Sequence, residues 1–126
     1  MIANKDLPVL SMLLKGMRNI PGFPPLEFLN LIEFKNVVTK KSEEYGEAYD
    51  KFMESYKVEK ITLKGRSWFD WNDHPKSEEV TKNLAILNDA DSKIKFKVNL
   101  TPEQVVQMNP ELEMEKISFL IDKLKK

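Results

Sequence analysis

The chain has 126 residues, of which 41% are apolar and 32% are charged, and its 20 basic and 20 acidic residues give a formal net charge of zero. This composition is typical of an ordered globular protein, and we predict one domain covering residues 1–126. The balance of charge argues against a nucleic-acid binder. The absence of cysteine excludes disulfides, thiolate nucleophiles and cysteine-bound zinc, and the single histidine excludes a two-histidine metal site within one chain.

The first predicted helix spans residues 5–17. Leu10, Leu13, Leu14 and Met17 recur at spacings of three and four residues, as on one face of a helix. Three prolines and one glycine in residues 21–25 then end it. The apolar run at residues 7–14 is too short to span a bilayer and does not resemble a signal peptide, so we expect no membrane partner.

The second predicted helix, residues 26–56, contains no proline. One stripe of its surface carries seven apolar or aromatic side chains: Leu31, Phe34, Val38, Tyr45, Tyr49, Phe52 and Tyr56. Such a stripe is typical of the core seam of a helix pair, with a partner groove as the alternative. A helix of this length reaches about 45 Å, which is longer than a compact domain of this size is wide. We therefore expect its far end to project or to pack on a partner.

Two strands are predicted, at residues 57–64 and 93–99, where apolar and polar residues alternate. We expect them to pair antiparallel, with a helix at 77–87, capped by Ser77, between them. Thr101 and Gln104 form a capping box that opens a short helix to residue 108, and a last helix runs from residue 111 to the C-terminus. The predicted fold is α+β and mainly α: the long helix and the N- and C-terminal helices pack on a small antiparallel two-stranded sheet.

The segment around residues 66–75 is the candidate recognition site. It holds both tryptophans and the only histidine, and we predict partner-binding roles for six of its residues: Arg66, Trp68, Phe69, Asp70, Trp71 and His74. Aromatic loops with polar tips are typical of recognition surfaces. The alternative is that the two indoles fold back as a lid over the core.

The last helix supplies a second candidate contact. Leu112 and Phe119 lie nearly opposite the apolar face formed by Met114, Ile117, Leu120, Ile121 and Leu124. A helix that is apolar on two sides is either sandwiched between layers or takes part in a subunit contact, so Leu112 and Phe119 are also predicted partner-binding residues.

No arrangement typical of an enzyme is apparent. His74 beside Asp73 could act as an acid–base pair, but no motif places a nucleophile, and a solvent-facing histidine ahead of a helix is the alternative. Asp89 and Asp91 do not make a calcium loop, because Lys93 occupies the third ligand position. Phosphate-binding and hydrolase motifs are absent from the sequence. We therefore expect no catalytic residues, no metal and no cofactor.

A resemblance to a known group rests on four features: the capped N-terminal helix, residues 43–52 (Glu-Glu-Tyr-Gly-Glu-Ala-Tyr-Asp-Lys-Phe) of the long helix, the lysine-rich strand, and residues 117–124 (Ile-Ser-Phe-Leu-Ile-Asp-Lys-Leu). In this order they resemble small uncharacterised proteins of tailed bacteriophages and prophages. The pattern covers most of the chain but not residues 68–74. It implies a non-enzymatic accessory protein of a phage particle or its assembly, located in the bacterial host cytoplasm or the virion.

Three functional hypotheses follow. The first is a phage-derived protein–protein interaction module that contacts a phage structural protein or a second copy of itself. The alternative is a phage-encoded inhibitor that binds a host defence protein through residues 68–74. The third is a small enzyme, in which replacement of His74 would abolish turnover.

Overall fold

The computed structural model describes residues 2–95, 98 and 100–124. Within these residues the chain forms five α-helices and one two-stranded antiparallel sheet, which confirms the predicted α+β, mainly α class. The elements, in chain order after a short 3-10 turn at Asn4–Asp6, are α1 (Leu7–Lys15), α2 (Pro25–Ser55), β1 (Glu59–Leu63), β2 (Arg66–Asp70), α3 (Ser77–Asp89), α4 (Pro102–Met108) and α5 (Met114–Leu124).

Helix α2 is the axis of the fold. It is one unbroken helix of 31 residues, about 46 Å long, as the absence of proline beyond its first turn predicts. Its first half contributes Leu31, Phe34 and Val38 to one hydrophobic core, and its second half contributes Met53 to another. Two cores along one helix explain why α2 can exceed the width of a compact domain of this size.

The first core contains segments from both halves of the chain. Helices α1, α4 and α5 and the first half of α2 bury their apolar faces together, and Leu10, Phe34, Val105 and Leu120 are each 0% exposed. The capping box at the start of α4 is present as predicted: the Thr101 hydroxyl accepts from the backbone N–H of Gln104 at 3.2 Å, and the Gln104 side chain accepts from the N–H of Thr101 at 2.9 Å.

The second core is formed from a continuous part of the chain. Its buried members are Met53, Val58, Val80 and Leu84, and its half-buried members are Tyr49, Phe52, Tyr56, Phe69, Trp71 and Leu87. The aromatic stripe of α2 is therefore a core seam, as its spacing predicts. Helix α3 and the sheet cover the part of that stripe near residue 56, so α2 needs no partner molecule there.

The predicted strand pairing is wrong. Strand β1 pairs with residues 66–70, which the sequence predicts to be a loop, and residues 93–95 lie outside any strand. Residues 96, 97 and 99 of the second predicted strand lie outside the described residues. A two-residue turn closes the observed hairpin, whereas the predicted pairing would have had to close a loop of nearly thirty residues at a greater loss of chain entropy. The alternation of Ile94 and Val98 instead turns both side chains towards the first core.

Two predicted helix boundaries also differ. Helix α3 continues to Asp89 and is preceded by Lys76, so Ser77 is its first residue and not its cap. Helix α5 begins at Met114 rather than at residue 111, because residues 109–112 form a turn in which the N–H of Leu112 donates to the carbonyl of Asn109 at 3.2 Å.

Candidate functional site

The candidate site is the β1–β2 hairpin and the residues that follow it. The connecting residues Lys64 and Gly65 have φ angles of 52° and 78°. Positive φ at both central positions is the geometry of the tight turns whose twist matches that of the two strands they join. The resulting register places Glu59 opposite Asp70, Lys60 opposite Phe69, Ile61 opposite Trp68, Thr62 opposite Ser67 and Leu63 opposite Arg66.

Successive side chains of a strand point to opposite faces, so this register divides the hairpin into two faces. One face carries Lys60, Thr62, Ser67 and Phe69 and turns its base towards α2. The Phe69 ring lies 6.1 Å from the ring of Tyr49, the Lys60 ammonium lies 5.6 Å from the Phe69 ring, and the Thr62 and Ser67 hydroxyls are 3.0 Å apart. We call this the inner hairpin face. Its contacts hold the hairpin against the second core.

The opposite face of the hairpin, which we call the outer hairpin face, consists of three cross-strand pairs. They are Leu63 with Arg66 next to the turn, Ile61 with Trp68 in the middle, and Glu59 with Asp70 at the base. Trp68 is 44% exposed and Leu63 is 58% exposed, although both are large apolar side chains. The outer hairpin face therefore has a basic end, an apolar centre and an acidic end.

The two tryptophans have opposite orientations. Trp68 lies on the outer hairpin face, as the recognition hypothesis predicts, whereas Trp71 packs against the second core, as the lid alternative predicts. The indole N–H of Trp71 donates to the Thr81 hydroxyl on α3 at 2.9 Å. The predicted site residues thus separate into Arg66, Trp68 and Asp70 on the outer hairpin face and Phe69 and Trp71 on the second core, while His74 lies at the base of the hairpin near Asp70.

His74 is half-buried, so the solvent-facing alternative is wrong. Its Nδ1 accepts from the backbone N–H of Lys76 at 3.0 Å, which leaves Nε2 protonated to donate to the carbonyl of Tyr56 at 2.7 Å. Its ring also lies edge-on to the Tyr56 ring, with the centroids 6.5 Å apart. His74 therefore joins the end of α2 to the start of α3, and neither ring nitrogen is free for acid–base chemistry in this arrangement.

A polar hollow of about 240 Å³ lies beside His74 at the base of the hairpin. It is lined by Lys57, Glu59, Asp70, Asp73, His74 and Pro75. One oxygen of Asp70 is already used, since it accepts from the backbone N–H of Asn72 at 3.1 Å. Among the described residues, no group of three histidine or acidic side chains is placed to hold a metal ion.

Two tyrosines of α2, Tyr45 and Tyr49, have raised phenol pKa values. Burial raises the pKa of Tyr49, and the nearby carboxylate of Asp50 raises it further. Burial also raises the pKa of Tyr45, whose hydroxyl donates to the side-chain oxygen of Asn88 at 2.5 Å. The phenol of Tyr49, whose ring packs against Phe69 of the hairpin, is therefore uncharged at ordinary pH.

Leu112 and Phe119 lie in a different part of the molecule from the hairpin. Both are half-buried against the first core, and the Lys123 ammonium lies 5.6 Å from the Phe119 ring while pairing with Asp6 at 3.1 Å. Phe119 is thus covered by the protein's own core, as the sandwiched alternative predicts, whereas Leu112 lies in the turn before α5 and is not part of a helical face. The exposed apolar residue of α5 is Met114, 75% exposed, which lines a shallow groove with Val106 of α4.

Sequence reasoning missed three members of the outer hairpin face: Glu59, Ile61 and Leu63. The available signal was Gly65, which stands between two short segments of β-forming residues and favours a hairpin over the distant pairing. Lys64 conceals this signal, because Asn, Asp or Gly is the usual residue at a turn position with positive φ.

In the part of the chain that the structure describes, no helix combines the length and apolar character needed to cross a bilayer. Comparisons of this chain with protein-family models, with curated proteins and with solved structures give no match.

Proposed function

We propose that this protein is a non-enzymatic protein–protein interaction module that binds its partner through the outer hairpin face. The observation that carries the proposal is Trp68, which is 44% exposed at the centre of that face. Tryptophan and arginine are the residue types most enriched among the side chains that dominate binding energy, and Arg66 lies at the turn end of the same face.

The bracing of the hairpin supports the proposal. Phe69 against Tyr49 and Trp71 against Thr81 hold β2 in place from the side opposite Trp68. A surface that is already ordered loses little conformational entropy on binding, so more of the contact energy appears as affinity. A mobile loop with the same composition would bind less tightly.

The cellular role we propose is that of a phage-derived accessory protein of the virion or its assembly, present in the bacterial host cytoplasm or in the particle. We propose no catalytic role, since both nitrogens of the only histidine are engaged in hydrogen bonds that join two helices. The resemblance at residues 43–52 and 117–124 and the exposed apolar centre of the hairpin support this role.

The test is affinity purification of the tagged protein from phage-producing cells, comparing wild type, Trp68→Ala and Ile86→Ala. Ile86 is the matched control because it is 64% exposed on α3 and lies outside the hairpin. We expect a phage structural protein to co-purify with wild type and with Ile86→Ala. The amount captured should fall at least tenfold with Trp68→Ala, because loss of a central tryptophan anchor costs about 2 kcal/mol or more of binding free energy.

Urea unfolding of Trp68→Ala checks that any loss of binding is not a loss of folding. A phage protein captured equally well by Trp68→Ala would contradict the proposed surface. A host protein lost with Trp68→Ala would instead support the inhibitor alternative, because the same exposed tryptophan would be its anchor.

A further inference from the structure

We infer that the outer hairpin face is self-complementary and that its partner is a second copy of this chain. The inference rests on the proposed function, since it names the partner of the same surface. The inference depends on the order of three residues along β2, which are Arg66 at the turn end, Trp68 in the middle and Asp70 at the base.

The proposed dimer has a two-fold axis in the plane between the outer hairpin faces of the two copies. The axis runs perpendicular to the strands and passes over the Ile61–Trp68 pair. Rotation about this axis places each β2 over its copy and interchanges positions two residues before and two residues after Trp68. Arg66 of one copy then faces Asp70 of the other, twice, while Trp68 faces Trp68. In a two-fold interface both copies use the same surface, so a contact between Arg66 of one copy and Asp70 of the other occurs twice.

The charges surrounding the apolar centre agree with this arrangement. Lys64 and Arg66 make the turn end basic, and Glu59, Asp70 and Asp73 outnumber Lys57 at the base and make it acidic. Packing the turn end of one hairpin over the base of the other pairs unlike charges at both edges of the contact. The parallel arrangement would bring the two basic turn ends together and the two acidic bases together, so electrostatics favours one orientation.

The pairing of two copies also offsets a charge repulsion within the isolated hairpin. Glu59 and Asp70 are like charges directly opposite each other across the two strands, an arrangement that destabilises an antiparallel pair. The guanidinium of Arg66 from a second copy can reach both carboxylates, because opposite side chains lie only about 5 Å apart. The zero net charge of the chain leaves no long-range repulsion between copies.

The expected association is weak. Two strands of five residues give a face about 17 Å long and two strands wide, which is smaller than the roughly 800 Å² per partner of standard stable interfaces. The chain should therefore exchange between monomer and dimer, with the dimer populated at high concentration or where copies are held near one another.

The experiment is analytical ultracentrifugation at concentrations from roughly 10 to 1,000 μM, the range suited to a small interface. Four samples are compared: wild type, Arg66→Asp, Asp70→Arg, and an equimolar mixture of the two variants. Arg66→Asp makes every charged side chain of the outer hairpin face acidic, and Asp70→Arg removes the acid that Arg66 needs. Each variant alone should therefore dimerise at least tenfold more weakly than wild type.

The mixture should recover wild-type association. The aspartate introduced by Arg66→Asp in the first variant then faces the arginine introduced by Asp70→Arg in the second, and Asp70 of the first faces Arg66 of the second. Lys82→Asp, a charge reversal at an exposed residue of α3, is the control that matches Arg66→Asp in net charge and should associate like wild type. Urea midpoints confirm that each variant is folded.

A wild-type chain that stays monomeric throughout, or an Arg66→Asp variant that associates as well as Lys82→Asp, would overturn the inference. Recovery in the mixture supports attraction between positions 66 and 70 of different copies, and a mixture that associates no better than either variant alone would also overturn the inference. If self-association is absent while capture of another protein still depends on Trp68, then this inference fails and the proposed function stands. If capture does not depend on Trp68, then the proposed surface itself is wrong.

Discussion

At the level of single residues, His74 makes a structural contribution that its position in the sequence does not suggest. It accepts from Lys76 through one ring nitrogen and donates to the carbonyl of Tyr56 through the other. The second of these bonds bridges positions that are 18 residues apart in the chain. Its neighbour Asp73, which suggested an acid–base pair, only shares the polar hollow at the base of the hairpin.

Replacement of His74 should therefore destabilise the second core. We expect His74→Ala to lower the free energy of unfolding by about 1–3 kcal/mol, since it leaves the half-buried Tyr56 carbonyl without a donor and removes the exposed hydrogen bond to the Lys76 N–H. His74→Asn should lose less free energy of unfolding, because the asparagine side-chain oxygen can still accept from the backbone N–H of Lys76. Urea unfolding measures both, and equal midpoints for wild type and His74→Ala would contradict the assignment.

At the level of elements, the β1–β2 turn is the local feature on which the site depends. Gly65 has φ of 78° and no atom within 4 Å of an added Cβ, so an alanine there would be strained only through its backbone. Gly46, in the interior of α2, has equally open space and helical backbone. The two glycines thus form a matched pair with opposite conformational demands.

The same substitution should have opposite effects at these two glycines. Gly65→Ala should lower the free energy of unfolding by about 1–2 kcal/mol, because a residue with a Cβ is unfavourable at positive φ. Gly46→Ala should raise it by about 0.5–1 kcal/mol, because alanine loses less backbone entropy in a helix. Thermal unfolding of the two variants measures both effects, and changes of the same sign would contradict the observed turn.

The contrast between α2 and the hairpin explains what the sequence could predict. The stripe of α2 repeats within one continuous element, so its period alone locates the helix and its buried face. The pairing of β1 depends on which later segment it meets, and that choice is decided by a turn containing Lys64, a residue with no special preference for positive φ. For the same reason the orientations of Trp68 and Trp71 cannot be separated until β2 is known to be a strand.

At the level of the whole molecule, two half-buried tyrosines lie at the junction of the two cores. Tyr45 packs against the first core and Tyr49 against the second, and burial raises the pKa of both phenols above the ordinary value of about 10. A folded protein that holds these protons more tightly than the unfolded chain has a stability advantage that is fully present below about pH 10 and is lost as the pH rises through the folded pKa values.

Stability should therefore decrease as the pH rises above about 10. We expect Tyr45→Phe combined with Tyr49→Phe to flatten this decrease, whatever its effect on stability at neutral pH. Lys5, whose pKa is raised by its hydrogen bond to Asp89, acts in the same direction, so part of the slope should remain. Urea midpoints across this pH range measure the slope, and an unchanged slope in the double variant would contradict the role of the two phenols.

The chain leaves the first core near Tyr45 and returns to it near Asn88, and a hydrogen bond between these two side chains joins the two points. Every member of the second core comes from residues 49–87, between these two neighbouring points. Insertions whose ends lie close together disturb a host fold least. All members of the first core lie outside residues 49–87, so a shorter or different segment between these two points would leave the first core with its full set of buried side chains.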